Sequence, residues 1–191
     1  MGDPDFREIL EMVDSSPMQE WDPEPIETRA VPTDINWDGI HVTDHSRIVD
    51  LRNWRPDAPT KQEQGRIYVR DRMTFKLMSD FSGERKITVR NALPLADVEF
   101  RQKNSQLQAK IYKVETPIVR DGIAREAYEV EYDLSLLPLE EPITVVLEFY
   151  ARFPGLLSGR APFITQMDTD LLSVWMLFPE DRPYRNYTLV N

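Results

Sequence analysis

The sequence contains no cysteine and only two histidines among its 191 residues. The absence of cysteine excludes disulfides, thiol nucleophiles, iron–sulfur clusters and zinc–thiolate sites. Glycine is scarce at seven residues, whereas proline reaches fifteen, which predicts rigid turns and extended connections. No apolar run approaches the ~18 residues that span a bilayer, so we expect no membrane partner. The N-terminus lacks a basic-then-apolar leader, which favours a cytoplasmic location.

The excess negative charge lies at one end of the chain. Of the net charge of −10, residues 1–36 hold −8, from ten acidic and two basic residues. Residues 37–191 are close to neutral, with 23 acidic and 21 basic residues. We therefore expect an acidic N-terminal arm at 1–36 and a β domain at 37–191. Nonspecific nucleic-acid binding needs cationic surface, so we expect no nucleic-acid partner.

The arm begins with the pattern of a short amphipathic helix, predicted at about residues 4–14. Asp3 suits a helix cap and Pro4 the first helical position. One apolar stripe follows at helical spacing, formed by Phe6, Ile9, Leu10 and Val13. A helix this short is marginal alone in water, so it must pack on its own sheet, on a second copy or in a partner's groove. Residues 15–36 have no period and predict an extended acidic linker.

From about residue 39 the apolar pattern has period two, which predicts an all-β domain. About eight or nine short strands separated by turns favour an antiparallel β-sandwich or a jelly-roll-like fold. Segment 171–178 is apolar on both faces, which predicts a central strand or one covered by the arm. The candidate strands are 40–51, 66–78, 85–92, 97–102, 107–119, 123–134, 142–152, 171–178 and 185–190.

Two β-hairpins are predicted from the positions of apolar residues. In the first, Leu77 lies opposite Ile87 around a turn that contains Gly83. The second turns at residues 121–122 and pairs Val114 with Val130. That register also places Lys113 opposite Glu131, a favourable charge pair on the outer face.

Basic side chains alternate along one predicted strand and suggest a surface that faces anions. Arg66, Arg70 and Arg72 share one face, and the first predicted hairpin adds Arg90 beside them. The same alternation of basic and apolar residues is also found on an ordinary solvent-exposed sheet face. Both interpretations, an anion-binding surface and an ordinary charged face, therefore stay open. Arginine suits carboxylate or phosphate partners, and the nearest large source of carboxylates is the protein's own arm.

The remaining candidates for chemistry have weak patterns. Trp37 and Trp54 either pin the linker to the body or form an aromatic surface for a carbohydrate or other small ligand. His41 and His45 lie on a predicted strand, so their spacing does not indicate a metal site. Acidic pairs such as Asp168 with Asp170 resemble a solvated face more than a glycosidase pair. We assign no catalytic residue, metal or cofactor.

Three functional hypotheses follow from these features. The first is a non-catalytic protein-interaction or assembly module, whose sandwich is a scaffold and whose helix and acidic arm bind a partner or a second copy. The second is a β-sandwich that binds a small ligand or carbohydrate. The third is a hydrolase that uses a pair of carboxylates. Charge asymmetry and the missing catalytic motifs favour the first.

Overall fold

The secondary structure of the described residues consists of nine β-strands. A computed structural model describes residues 23–55, 57–82, 85–92, 96–101, 106–120, 123–152 and 168–181. The strands are β1 (Ile26–Arg29), β2 (Ile40–Asp50), β3 (Ile67–Leu77), β4 (Lys86–Ala92), β5 (Ala96–Arg101), β6 (Ala109–Arg120), β7 (Ile123–Asp133), β8 (Ile143–Arg152) and β9 (Leu172–Leu177). The predicted all-β class is therefore confirmed, and eight of the candidate strands lie within two residues of an observed one.

The strands form two mixed sheets. The four-stranded sheet has the order β1-β6-β7-β4, and the five-stranded sheet has the order β5-β8-β3-β2-β9. Two pairs, β1 with β6 and β2 with β9, are parallel. The other strand pairs are antiparallel, so the sheets are mostly antiparallel, as predicted, but the two parallel pairs were not expected. Both parallel pairs join strands that are far apart in sequence, since parallel neighbours need a long connection.

One hydrophobic core contains side chains from both sheets, which is consistent with a sandwich. Phe100 of β5 is 1% exposed and its ring centroid lies 5.4 Å from that of Phe149 on β8. The same ring lies 5.4 Å from Tyr128 of β7, which belongs to the other sheet. Such tilted aromatic pairs add packing energy to the burial of apolar area. Phe100 therefore contacts both layers of the core.

The first predicted hairpin was wrong. Strand β3 pairs with β2 and β8, whereas β4 pairs with β7 in the other sheet. Leu77 and Ile87 are both about 1% exposed and belong to the shared core. Two strands that face one core across a sandwich have the same apolar alternation as two strands in one sheet. The apolar match was therefore real, but it did not identify hydrogen-bonded neighbours.

The second hairpin, β6 with β7, was predicted correctly as a pair but in the wrong register. Val130 pairs with Ile111 instead of Val114, and Lys113 lies opposite Tyr128 instead of Glu131. Ile111 and Val130 are both buried in the core, so the observed register places two apolar side chains opposite each other on the core-facing side of the sheet. An irregularity between positions 114 and 118 shifts the pairing nearer the turn.

The predicted linker at 15–36 contains a strand that the sequence pattern did not reveal. Strand β1, at Ile26–Arg29, extends the four-stranded sheet by pairing with β6. The predicted helix at about 4–14 and the candidate strand at 185–190 lie outside the described residues. The domain boundary at residue 36 stays a prediction, although residues 26–33 contact the body.

Candidate functional site along strand β9

Strand β9 lies at one end of the five-stranded sheet. It pairs in parallel with β2, and within the described ranges no strand pairs with its other side. The sequence predicted a central strand or a covered one at this position. Sheet edges present unpaired backbone donors and acceptors, which makes them sites for adding a strand.

The backbone of β9 directs alternate residues toward β2 and toward the edge. The carbonyl oxygens of Leu171 and Leu177 accept hydrogen bonds of 2.8 and 2.9 Å from the backbone N–H groups of His45 and Leu51. The register pairs His45 with Leu172, so the odd-numbered residues 171–177 provide the bonds to β2. The N–H and C=O groups of residues 172, 174 and 176 consequently point to the edge.

The side chains of the same three residues form an exposed apolar row, which we call the β9 row: Leu172, Val174 and Met176. They are 42%, 43% and 43% exposed. The row lies on the core-facing side of its sheet, because Met176 is the register partner of Val49, which packs on the core. Among the described strands, the five-stranded sheet has one more than the sheet that it faces, and the side chains of the β9 row stay partly exposed at that end.

The opposite face of β9 is held in place by a small hydrophobic cluster. Trp175 and Leu177 pack against Ile48 of β2, which is 6% exposed. The backbone of Leu177 also accepts the hydrogen bond from Leu51 that closes this end of the ladder. One face of β9 therefore attaches the strand to the sheet, and the other presents apolar surface.

A buried ionic cluster lies beside the β9 row on β2 and β3. Asp71 is 7% exposed; its carboxylate lies 2.6 Å from Nε2 of His45 and also binds Arg47. Burial alone would raise the pKa of Asp71, but Arg47 and His45 lower it to about 2. Burial and the nearby Asp71 together raise the pKa of Tyr132 on the facing sheet. Because His45 and Arg47 are the register partners of Leu172 and Val174, this cluster borders the row.

Acidic side chains flank both ends of β9. Residues 168–181 contain four acids and no base: Asp168, Asp170, Glu180 and Asp181. Nε2 of His41 lies 2.9 Å from Asp170, and Arg55 lies 3.9 Å from Asp181. The two contacted carboxylate side chains still remain 60% and 66% exposed. The β9 row is therefore an apolar surface with exposed carboxylates at each end, and Arg182 follows Asp181 directly in the sequence.

The predicted arginine residues do not form one patch. Three of them belong to the five-stranded side and Arg90 lies on β4 of the other sheet, which the incorrect hairpin had placed beside them. Each has a carboxylate partner on the body: Arg66 with Glu99 at 2.8 Å, Arg70 with Glu148 at 3.7 Å, Arg72 with Asp44 at 3.4 Å and Arg90 with Glu129 at 2.7 Å. These contacts neutralise much of the charge that an anion would meet.

A second ionic cluster fixes the end of the arm to the four-stranded sheet. Glu129 is fully buried and lies 2.8 Å from Arg29 and 2.7 Å from Arg90. It also accepts hydrogen bonds from the backbone N–H and the hydroxyl of Thr33, at 3.0 and 2.9 Å. Burial opposes ionisation, but the bonds from Arg90, Thr33 and Arg29 lower the pKa of Glu129. We call these four residues the Glu129 cluster.

At this contact the arm supplies the base and the body supplies the acids; seven of the ten acids of the arm lie outside the described residues. We expected arm carboxylates near body arginines, whereas Arg29 of the arm binds Glu129 and lies 3.1 Å from Glu131 on the body. The alternation of Glu129 and Glu131 on one strand face was visible in the sequence but is typical of a solvated surface. No sequence pattern indicated that residues 29–33 cover it.

The two predicted ligand aromatics lie against the core. Trp37 and Trp54 are partly buried and pack on the main cluster. The predicted partner-binding residues Phe6, Ile9, Leu10 and Val13 lie outside the described residues. In the part of the chain that the structure describes, no group of three or more metal-binding side chains is found. The same residues contain no helix long and apolar enough to cross a bilayer.

Comparison with known proteins adds little. No protein-family model matches the chain, and no curated protein matches it. Among solved structures, it is similar to a two-domain M1 zinc metallopeptidase mutant bound to L-tryptophan, with 16% identity and a TM-score of 0.32. The match covers 69% of this chain and 24% of the peptidase chain, so it spans about a quarter of that protein. A likeness at this TM-score carries no argument about function.

Proposed function

We propose that this protein is a non-catalytic protein-interaction module. Its β-sandwich is the scaffold, and the β9 edge is a recognition surface that accepts a strand from a partner. The observation that carries the proposal is the coincidence, on residues 172, 174 and 176, of exposed apolar side chains and outward-pointing backbone groups.

The chemistry of an exposed edge supports this role. An added strand supplies main-chain hydrogen bonds for affinity, and alternate side chains supply specificity. Proteins normally protect sheet edges with charged side chains, proline or a covering loop. Within the described residues, the β9 row presents leucine, valine and methionine, which are 42–43% exposed. Grouped apolar exposure of this kind marks interaction surfaces more often than a scattered residue does.

The N-terminal arm supplies the second element of the proposal. Its described end is fixed to the body, because Arg29 belongs to the Glu129 cluster and the N–H of Glu24 donates a 2.9 Å hydrogen bond to Phe100 O. Residues before this point are thus tethered to a fixed position on the domain. We propose that the predicted helix, with its stripe from Phe6 to Val13, docks in an apolar groove of a partner.

A pull-down from a cell extract, performed with the wild type and two point variants, tests the role of β9. Val174→Lys places a charge within the β9 row, which opposes strand addition. Leu136→Lys is the matched control, because Leu136 is 96% exposed in the turn after β7 and lies outside the row. We expect proteins captured from a cell extract by the wild type and by Leu136→Lys to be lost with Val174→Lys. An identical captured set from all three chains would contradict the proposal.

The arm is tested separately by deleting residues 1–22, which leaves the Glu129 cluster intact. We expect the truncated domain to fold and to lose part of the captured set. Unchanged capture would remove the arm from the proposed function while leaving β9 in place.

A further inference from the structure

We infer that the occupant of the β9 edge is an extended segment of another protein, with alternating apolar residues flanked by lysine or arginine. This inference rests on the proposed function, since it names the partner of that same surface. The apolar residues would lie beside the β9 row, and the basic flanks would lie beside the acids at each end of β9.

The charge pattern around β9 supports a basic partner. Residues 168–181 contribute four acids and no base. His41 and Arg55 contact one acid at each end, but those carboxylates stay 60% and 66% exposed. A partner strand of about ten residues spans roughly 33 Å, which is long enough to place its termini near both acidic ends.

A second copy of the chain fits this surface less well. In antiparallel pairing of β9 with β9, the acids that precede each strand approach those that follow the other. In parallel pairing, each acidic end meets the same end of the second copy. Like charges that face each other oppose association, and each copy also carries a net charge of −10.

The protein's own arm is also a poor match. Residues 1–22 contain seven acids and a single base, Arg7. Placing this segment along β9 would bring further carboxylates to the acidic ends. The C-terminal residues 182–191 contain two arginines and no acid, so they are the competing occupant that the experiment must distinguish.

Labelled synthetic peptides test the inference on the full-length chain. The probe has an alternating valine–threonine core with two lysines at each end, and its matched control has two glutamates at each end. Affinities are measured by fluorescence anisotropy at low and at high ionic strength. We expect the basic peptide to bind on the order of tenfold more tightly at low salt, and the difference to shrink at high salt.

Two variants separate charge from docking. Asp168→Asn combined with Glu180→Gln removes two flanking charges and should reduce the preference for the basic peptide severalfold. Val174→Pro is neutral and removes an N–H that points to the edge, so the ladder with β2 is retained. It should abolish binding of both peptides. Circular dichroism of each variant checks that the fold persists.

Each outcome decides between the possible occupants. Equal affinity for the two peptides, lost in Val174→Pro, would overturn the basic-partner inference and leave the proposed function standing. Binding of neither peptide would overturn the inference, while the Val174→Lys capture experiment decides the function separately. Peptide binding that appears only after deletion of residues 182–191 would identify the C-terminal segment as the occupant. A dimer in light scattering that Val174→Pro dissociates would identify a second copy, again overturning the inference.

Discussion

Replacing Glu129 with glutamine should destabilise the protein by about 3 kcal/mol. The carboxylate is fully buried and compensates Arg29 at 2.8 Å and Arg90 at 2.7 Å. Glutamine keeps one acceptor oxygen, but it removes the negative charge and turns an amide NH₂ toward donors. Breaking a buried ion pair from one side typically costs about 3–5 kcal/mol. We expect a cost at the lower end of this range, because the side chains of Arg29 and Arg90 are 20% and 21% exposed and retain some contact with water.

Glu131→Gln is the matched control on the same strand face. Glu131 lies 3.1 Å from Arg29 and 3.8 Å from Lys86, and its side chain is 14% exposed. Its replacement leaves Glu129 to compensate Arg29, so a cost of about 1 kcal/mol or less is expected. The predicted difference between the two variants is therefore about 2 kcal/mol.

Urea unfolding followed by tryptophan fluorescence measures both variants. The slope of the free energy of unfolding against urea concentration should be the same in both variants and in the wild type, so that differences in midpoint measure differences in stability. Trypsin supplies a second readout, since cleavage after Arg29 should accelerate in Glu129→Gln when residues 26–33 lose their attachment. Equal midpoints and equal cleavage rates for the two variants would refute the account of the Glu129 cluster.

Two further predictions concern stability. The pKa of Asp71 is depressed to about 2, so its stabilising contribution of ~2 kcal/mol is present above about pH 4 and is lost as the pH falls toward 2. Between pH 4 and pH 2, the urea midpoint should therefore fall less steeply in Asp71→Asn than in the wild type. Parallel pH profiles of the two proteins would contradict the depressed pKa of Asp71. Gly65 has φ of 67°, and a Cβ there would lie 2.1 Å from the carbonyl oxygen of Asn53. Gly65→Ala should therefore cost about 2 kcal/mol or more in thermal unfolding, and a wild-type melting temperature would argue against this turn geometry.

The sequence predicted most strands, because burial on one face of a sheet produces period two. Segment 142–152 is an example: Val145, Leu147 and Phe149 alternate in the sequence and are buried in the structure. Strand β1 escaped prediction because its residues Ile26–Arg29 are largely exposed and show no apolar alternation. Its position depends on pairing with β6, an interaction that the local sequence does not reveal.

Strand pairing was harder to predict than strand position. The apolar faces of β3 and β4 match equally well as neighbours in a sheet or as opposing faces of a core. Parallel pairs such as β2 with β9 join distant segments without a turn signature. In the same way, the sequence showed that residues 171–178 are apolar, but the sheet order decides whether such a strand lies at the centre or at the edge.

The sequence also did not reveal which charged side chains are buried. Glu129 and Glu131 have the spacing of a solvated outer face, and only the path of residues 29–33 across that face makes Glu129 a buried group. Arg90 lies 2.7 Å from a carboxylate of the neighbouring strand β7, Glu129, whereas the sequence pointed to the arm as the source of carboxylates.

Amide hydrogen exchange along β9 tests the central claim most directly. In the protein alone, we expect the N–H groups of Ser173, Trp175 and Leu177 to be protected by β2, whereas those of Leu172, Val174 and Met176 exchange rapidly. Addition of the lysine-flanked peptide should then protect all six. Protection of Leu172, Val174 and Met176 before any addition, or their continued rapid exchange at saturating peptide, would contradict a β9 edge that accepts a partner strand.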